Sequence, residues 1–451
     1  MSQTHGNLPR YTDKVFGCPS YLVPPPQFLT GLETFFVALG MLSRQEESSV
    51  RSHLQLFMGS LAITLYYLWS ARHLIPPPSV RASQSLTTYA NWAYAHLAYS
   101  DIWALYFGHH LMSHALPYIQ TPIEYPVLMG LTMWVTAWIP GGALGFFLAT
   151  AVLLWAAALW CHYCIWEFSP AHAWAFSLTP LVMTYGLLNW DMLGMALMLW
   201  AVRLFRQACW NRSAIVFAMA VFFKLFPIFC LPFIAVRIVR SEGLRRLWSM
   251  VTAFGAAACA LNVPFAITNW NNWSLFFNFN AGRGVSADLW NNTWWHLASV
   301  PAVDLLSLTM VSCALVVCGH WMGPDGSWAE ASAVVFAIFL LVNKVFSPQY
   351  ILWLTAFAAM AQWPLWTFAL LSVAGLTDYV NSLTMLHLTA SGAPTQTTAQ
   401  WYGQEIFPLG LALRYLAVVI SPLGALYGRW RHPTEVLHPL YPSDPQISPD
   451  I

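Results

Sequence analysis

The chain has 451 residues, of which 58% are hydrophobic and only 8% charged, with a net charge of +1. A soluble globular surface needs far more charge, so the composition excludes a water-soluble domain; with no basic patch, nothing points to nucleic acid. Several apolar runs exceed the roughly 18 residues that mark a membrane-spanning helix, which makes this an all-α polytopic membrane protein.

Residues 1–26 are polar and Pro-rich and lack the apolar core of a signal peptide, so this stretch is expected to be retained. Residues 27–43, interrupted by Glu33, read as an interfacial helix, and 1–53 as a cytoplasmic N-terminal region. Apolar spans follow at 54–75, 123–141, 143–166, 174–206, 213–239, 244–268, 299–321, 328–343, 349–362, 364–386 and 404–428. They make residues 54–431 one membrane domain of about 10–12 helices, with larger outer loops at 76–122 and 269–298; 432–451 is a flexible, Pro-rich tail. Cys161 and Cys164 form a C-H-Y-C pair without the second pair a zinc site needs, and read as buried thiols facing a neighbouring helix.

Lysine and arginine placement sets the orientation. With both termini in the cytoplasm, thirteen of the nineteen basic residues lie inside: Arg10, Lys14, Arg44, Arg51, Arg203, Arg206, Arg212, Arg237, Arg240, Arg245, Arg246, Arg429 and Arg431. Arg72, Arg81 and Arg283 fall outside, and Lys224, Lys344 and Arg414 lie within apolar segments. Segment 213–239 is then flanked by basic residues at both ends. It must enter and return, as two short helices turning at K-L-F-P, with Pro227 suited to a helix start. Segment 174–206 breaks at Asn189-Trp190-Asp191, and 328–362 reads as a second short hairpin around N-K-V-F-S-P-Q. Non-helical backbone at membrane depth is tolerated only against protein or a polar cavity, so three breaks imply one shared cavity, opening outward.

Ionisable groups inside such segments are functional candidates by default. Here they are Asp191, Lys224, Lys344, Asp378 and Arg414, with Asp101 and Glu124 at the outer edge. Asp101 reads as riding an amphipathic helix on the outer surface, where a carboxylate is either a general base or a plain surface group. The lysines either pair with Asp191 or Asp378, or bind a lipid phosphate together with helix N-termini; shared break geometry favours phosphate. Arg283, in the outer loop, is either a solvated loop arginine or a further phosphate ligand, Arg414 is another phosphate candidate, and Asp378 reads as structural. His109, His110 and His114 cluster on one outer helix, but no acidic or Cys ligand is adjacent in sequence, so no metal is expected. There is no Walker motif, GxGxxG fingerprint or GxSxG elbow, which argues against an ATP-driven pump, a nucleotide-cofactor enzyme and a common serine hydrolase.

Five stretches in order carry a resemblance: YSDIWALY (99–106) with PY (117–118) and EYPVL (124–128); LLNWDMLGMAL (187–197); FKLFP (223–227); FNFNAGRGV (277–285); and NKVFSPQYILWL (343–354). Together they resemble actinobacterial membrane glycosyltransferases of the GT-C superfamily, close to glycosyltransferase family 87, over roughly 95–360. The resemblance implies a polyprenyl-phosphate-linked sugar donor, mannose or arabinofuranose, and an envelope glycolipid or polysaccharide acceptor outside the cytoplasmic membrane. It maps the general base onto Asp101, with Glu124 assisting, and needs no cofactor. Tyr99, Tyr125, Asn189, Asp191, Asn280, Asn343, Gln349 and Tyr350 are then expected to line the substrate site, with Lys224, Lys344, Arg283 and Arg414 at the donor phosphate. Broken helices with buried lysines also suit a transporter or flippase of lipid-linked intermediates, and a non-catalytic scaffold would leave the buried charges merely paired.

Overall fold

The computed structural model describes residues 44–109, 111–286, 289–290, 299–322, 327–390 and 396–431, with the backbone alone at 44–51, 396–397 and 429–431. The expected interfacial helix at 27–43, Arg10, Lys14, His110, residues 291–298 of the second loop and the tail lie outside the described residues, as do the side chains of Arg44, Arg51, Arg429 and Arg431.

The described elements are all helical. In chain order they are α1 (Arg44–Leu74), α2 (Pro78–Ser83), α3 (Leu86–Ala95), α4 (Asp101–Gly108), α5 (Val127–Ala137), α6 (Gly142–Phe168), α7 (Pro170–Leu178), α8 (Pro180–Tyr185), α9 (Asp191–Arg206), α10 (Trp210–Val221), α11 (Leu231–Ser241), α12 (Leu244–Thr268), α13 (Trp270–Gly282), α14 (Val300–Trp321), α15 (Trp328–Val342), α16 (Tyr350–Met360), α17 (Leu365–Ala390), α18 (Gln396–Trp401) and α19 (Phe407–Arg431). Five stretches are long and apolar enough to cross a membrane: Ser52–Leu74, Gly142–Phe168, Leu244–Thr268, Val300–Trp321 and Thr398–Gly428. Their outward faces are apolar, with Ile267, Leu308 and Val316 each more than 60% exposed, as a lipid-facing surface requires. The stretch expected as a span at 123–141 yields only α5, because Pro126 sets its start and the chain leaves the helix at Trp138, before Gly141, at φ 109°, opens the next one.

The three expected breaks are all present, and each turns the chain back on itself. Arg203, near the end of α9, forks onto Glu167 at the end of α6, so α7–α9 leave and return at the same end. Ser249 Oγ donates to Asn211 Oδ1 at 2.9 Å, which puts the start of α10 beside the start of α12 and closes α10–α11 into a hairpin. In the third, Phe336 of α15 stacks on Phe357 of α16 at 4.6 Å, the pairing of an antiparallel turn centred on 346–347. Trp328 against Phe205, and His172 bonded to the Trp363 carbonyl at 2.8 Å, bring the ends of the first and third hairpins to one level.

The hairpins occupy the middle of the bundle. Ile351–Met360 of α16 are all buried, which explains a sequence apolar all round rather than on one face. Two tips approach closely because Gly194 has no side chain: a Cβ there would lie 3.0 Å from Trp353 and 3.2 Å from Lys224 Cβ. Behind the third tip, Arg414 and Asp378 form a wholly buried ion pair at 2.9 Å, and the guanidinium also lies 4.4 Å from the Phe346 ring. Removing one member of a buried pair strands the other charge, at a cost of about 3–5 kcal/mol. Arg414→Leu is therefore expected to lower the thermal unfolding temperature in detergent sharply, and Arg414→Leu with Asp378→Leu to recover most of the loss.

Candidate active site

The N-terminus of α4 is strapped to the first hairpin tip. Extended Ser100 caps the helix, its Oγ accepting from Ile102 N–H and donating to the Leu187 carbonyl at 2.6 Å. Tyr89 Oη accepts from Ser100 N–H at 2.8 Å, and Asp101 N–H donates to the Leu188 carbonyl at 2.7 Å. The Asp101 carboxylate thus points toward the tip rather than outward from an amphipathic surface helix; α4 is eight residues long, and Asp101 is its first. Tyr99 Oη donates to Oδ1 at 2.9 Å and Asn189 Nδ2 to Oδ2 at 2.7 Å. Asn189 is held in turn by its own backbone, its Oδ1 accepting from Trp190 N–H. Burial raises the Asp101 pKa above the ordinary aspartate value, against the opposing pull of the Tyr99 and Asn189 hydrogen bonds and the Lys224 charge.

Glu124 and Tyr125 lie on the loop entering α5. Tyr118, at φ 66°, donates its hydroxyl to the carbonyls of Tyr125 and Pro126 at 3.0 and 2.8 Å and rests on Gly130, where a Cβ would stand 2.1 Å from that hydroxyl. This sets the loop's path. Burial works to raise the Glu124 pKa, but the His109 hydrogen bond and charge outweigh it and hold the group below its usual value. Lys224, at the second tip, lies 2.9 Å from Asp191 Oδ1 and 5.4 Å from the Tyr125 ring. Across from it, Tyr350 at the start of α16 meets Phe226 edge-on at 4.7 Å. Leu128 N–H bonds the Phe222 carbonyl at 3.1 Å, tying α5 to the same tip.

These elements enclose a cavity of about 850 Å3. All three hairpin tips reach it, through Leu188 and Asn189, Lys224 to Phe226, and Ser347 to Tyr350. The expected residues it brings together are Tyr99, Asp101, Glu124, Tyr125, Asn189, Lys224, Asn280, Arg283, Gln349 and Tyr350. Four stand apart from its lining. Asp191 is buried beneath it, as partner of Lys224. Asn343 donates to the Val345 carbonyl and shapes the third turn. Lys344 Nζ lies 3.1 Å from both Asp304 Oδ2 and the Ala281 carbonyl, which latches the end of α13. Arg414 faces Asp378. Lys344 thus pairs with neither Asp191 nor Asp378, the two carboxylates considered from sequence, because α14 carries Asp304 alongside it. Tyr94, Tyr185, Tyr379, Phe276 and Phe279 also line the cavity and were not anticipated. Of the residues missed, Asp304 left a signal: it is an acid inside the apolar run 299–321. No group of three or more metal-ligating side chains occurs among the described residues.

A cavity of mixed polar and aromatic lining among chain breaks, floored by an ion pair and flanked by a half-buried carboxylate, in an all-helical bundle, defines a polytopic membrane protein with an internal site. Residues 124–348 match the model of Glycosyltransferase family 87, and the chain belongs to that family as a membrane glycosyltransferase. The matched segment begins at Glu124 and ends at Pro348, so Asp101 lies before it and Tyr350 just after it. No curated protein gives a significant match to the chain.

Removal of the Asn189 amide takes away a hydrogen bond that favours ionised Asp101, so the carboxyl must titrate higher still. Isotope-edited infrared titration of the protonated carboxyl band is expected to place Asp101 above the ordinary aspartate range in the wild type and to shift it further upward in Asn189→Leu.

Proposed function

We propose that this glycosyltransferase moves a mannosyl or arabinofuranosyl group from a polyprenyl-phosphate donor to a glycolipid or polysaccharide of the cell envelope, on the outer face of the cytoplasmic membrane. The observation that carries the reading is the meeting of a carboxylate and a cation in one cavity: Asp101 from α4 and Lys224 from the second hairpin tip. The acceptor hydroxyl gives its proton to Asp101 as its oxygen bonds to the anomeric carbon. The bond from that carbon to the phosphate oxygen breaks, and polyprenyl phosphate leaves with the electron pair. Lys224 and Arg283, both on the cavity wall, offset the charge that grows on the leaving phosphate, where electrostatic help counts most.

One displacement inverts the anomeric configuration. The lipid phosphate is itself the activating group, so the scheme needs no cofactor or metal. Phosphate capture falls to Lys224 and Arg283 in this reading, since Lys344 and Arg414 are engaged with carboxylates away from the cavity. The basic residues crowd the hairpin-end side of the chain, among them Arg203, Arg206, Arg237, Arg240, Arg245 and Arg246. This supports placing that end, and both termini, in the cytoplasm, with the cavity facing out.

The test is transfer from labelled polyprenyl-phosphate mannose or arabinose by purified protein in vesicles. Asp101→Asn is expected to lose at least about a hundredfold in kcat, and undiminished transfer would remove Asp101 as the base. Movement of lipid-linked sugar across the bilayer with no transfer would instead mark a flippase.

A further inference from the structure

Among the described residues two carboxylates, Asp101 and Glu124, line the cavity, and the scheme above uses one. Asp101 opens α4 and His109 caps its other end, so their Cα atoms lie about 12 Å apart along the axis at 1.5 Å per residue. Glu124 meets the far end: His109 Nε2 stands 3.0 Å from each of its carboxylate oxygens. The Asp101 carboxylate is held at the opposite end by Tyr99 and Asn189. Each carboxylate has its own dedicated donors, and neither is within the other's hydrogen-bond set. Held from opposite ends of α4, they are set to act on different groups of one bound substrate.

We propose that Glu124, oriented by His109, is the acceptor-binding carboxylate: it accepts hydrogen bonds from two neighbouring hydroxyls of the acceptor's terminal sugar while another hydroxyl of that sugar faces Asp101. The acceptor is therefore sugar-terminated rather than a simple lipid alcohol. This rests on the glycosyl-transfer reading and divides the work within it. Two carboxylates in one site whose environments push them apart take different roles. Burial raises Asp101, which suits proton uptake; the hydrogen bond from His109 keeps Glu124 ionised, a fixed acceptor of hydrogen bonds and a poor base. Tyr125, next in sequence, and the stacked pair Tyr94 and Tyr99 also line the cavity and offer rings on which a sugar face can lie. His109 reaches the substrate only through Glu124 and is a positioning residue.

The experiment measures transfer to octyl α-mannopyranoside, octyl α-arabinofuranoside and, as the sugar-free control, n-octanol, with full kinetics in both substrates. Glu124→Gln is expected to raise the acceptor KM tenfold or more while kcat stays within threefold and the donor KM and the acid limb of the pH profile stay put. Glu124→Asp, which keeps the charge, is expected to fall between wild type and Gln. His109→Gln is expected to give the same split at about threefold. A fall in kcat with unchanged acceptor KM, or a displaced acid limb in Glu124→Gln, would make Glu124 the base and overturn the proposal. So would wild-type transfer to n-octanol that rivals the glycosides, or donor hydrolysis with no transfer to any of the three. A donor left intact under every condition would overturn the glycosyl-transfer reading itself.

Discussion

Lys224 and Asp191 come from different re-entrant hairpins and meet at 2.9 Å where neither chain segment is helical or where a helix has only just begun. Each charge alone would be costly at that depth; together they fasten one tip to the other and leave the ammonium facing the cavity. Gly194 permits the contact by leaving room for Lys224 and Trp353, and the Phe226–Tyr350 ring contact adds the third tip. The cavity exists because these three turns hold one another at a common level.

The remaining charges serve the same frame from outside. Arg414 and Asp378 support the third tip through Phe346. Lys344 ties that tip to Asp304 and to the end of α13, whose Asn280 and Arg283 form part of the cavity wall. Glu167 and Arg203 close the base of the first hairpin. Ion pairs, whether buried as Arg414–Asp378 is or partly exposed as Lys344–Asp304 is, contribute little net stability against an apolar alternative. Their use here is to fix register, since each joins two segments that apolar packing alone would let slide.

Sequence carried the architecture well where a single segment suffices. The span 244–268 coincides with α12, and the breaks at N-W-D, K-L-F-P and N-K-V-F-S-P-Q appear because proline, polar residues and basic flanks are local signals. The family was legible too, through motifs in order. Partnership was not. Whether Lys344 meets Asp191, Asp304 or a ligand depends on which helix lies alongside, and spacing along the chain says nothing of that. His109 read as one of three clustered histidines, yet its partner is Glu124, fifteen residues on and around a turn set by Tyr118. The aromatic lining from Tyr94, Tyr185 and Tyr379 was hidden for another reason: in a chain with 16% aromatic residues, a cavity-facing tyrosine looks like any other.

The half-length of the hairpin arms has a mechanical consequence. At 1.5 Å per residue, α10 and α15 run about 18 and 22 Å, well short of a hydrocarbon core of about 30 Å. Facing lipid, such helices would have to thin the bilayer around them. They lie instead mostly inside, behind full-length α6, α12, α14 and α19, with α16 buried from Ile351 onward. Mismatch is then borne by the long outer helices, which can tilt. The inner turns keep their spacing, and the site's dimensions are decoupled from the thickness of the membrane that holds it.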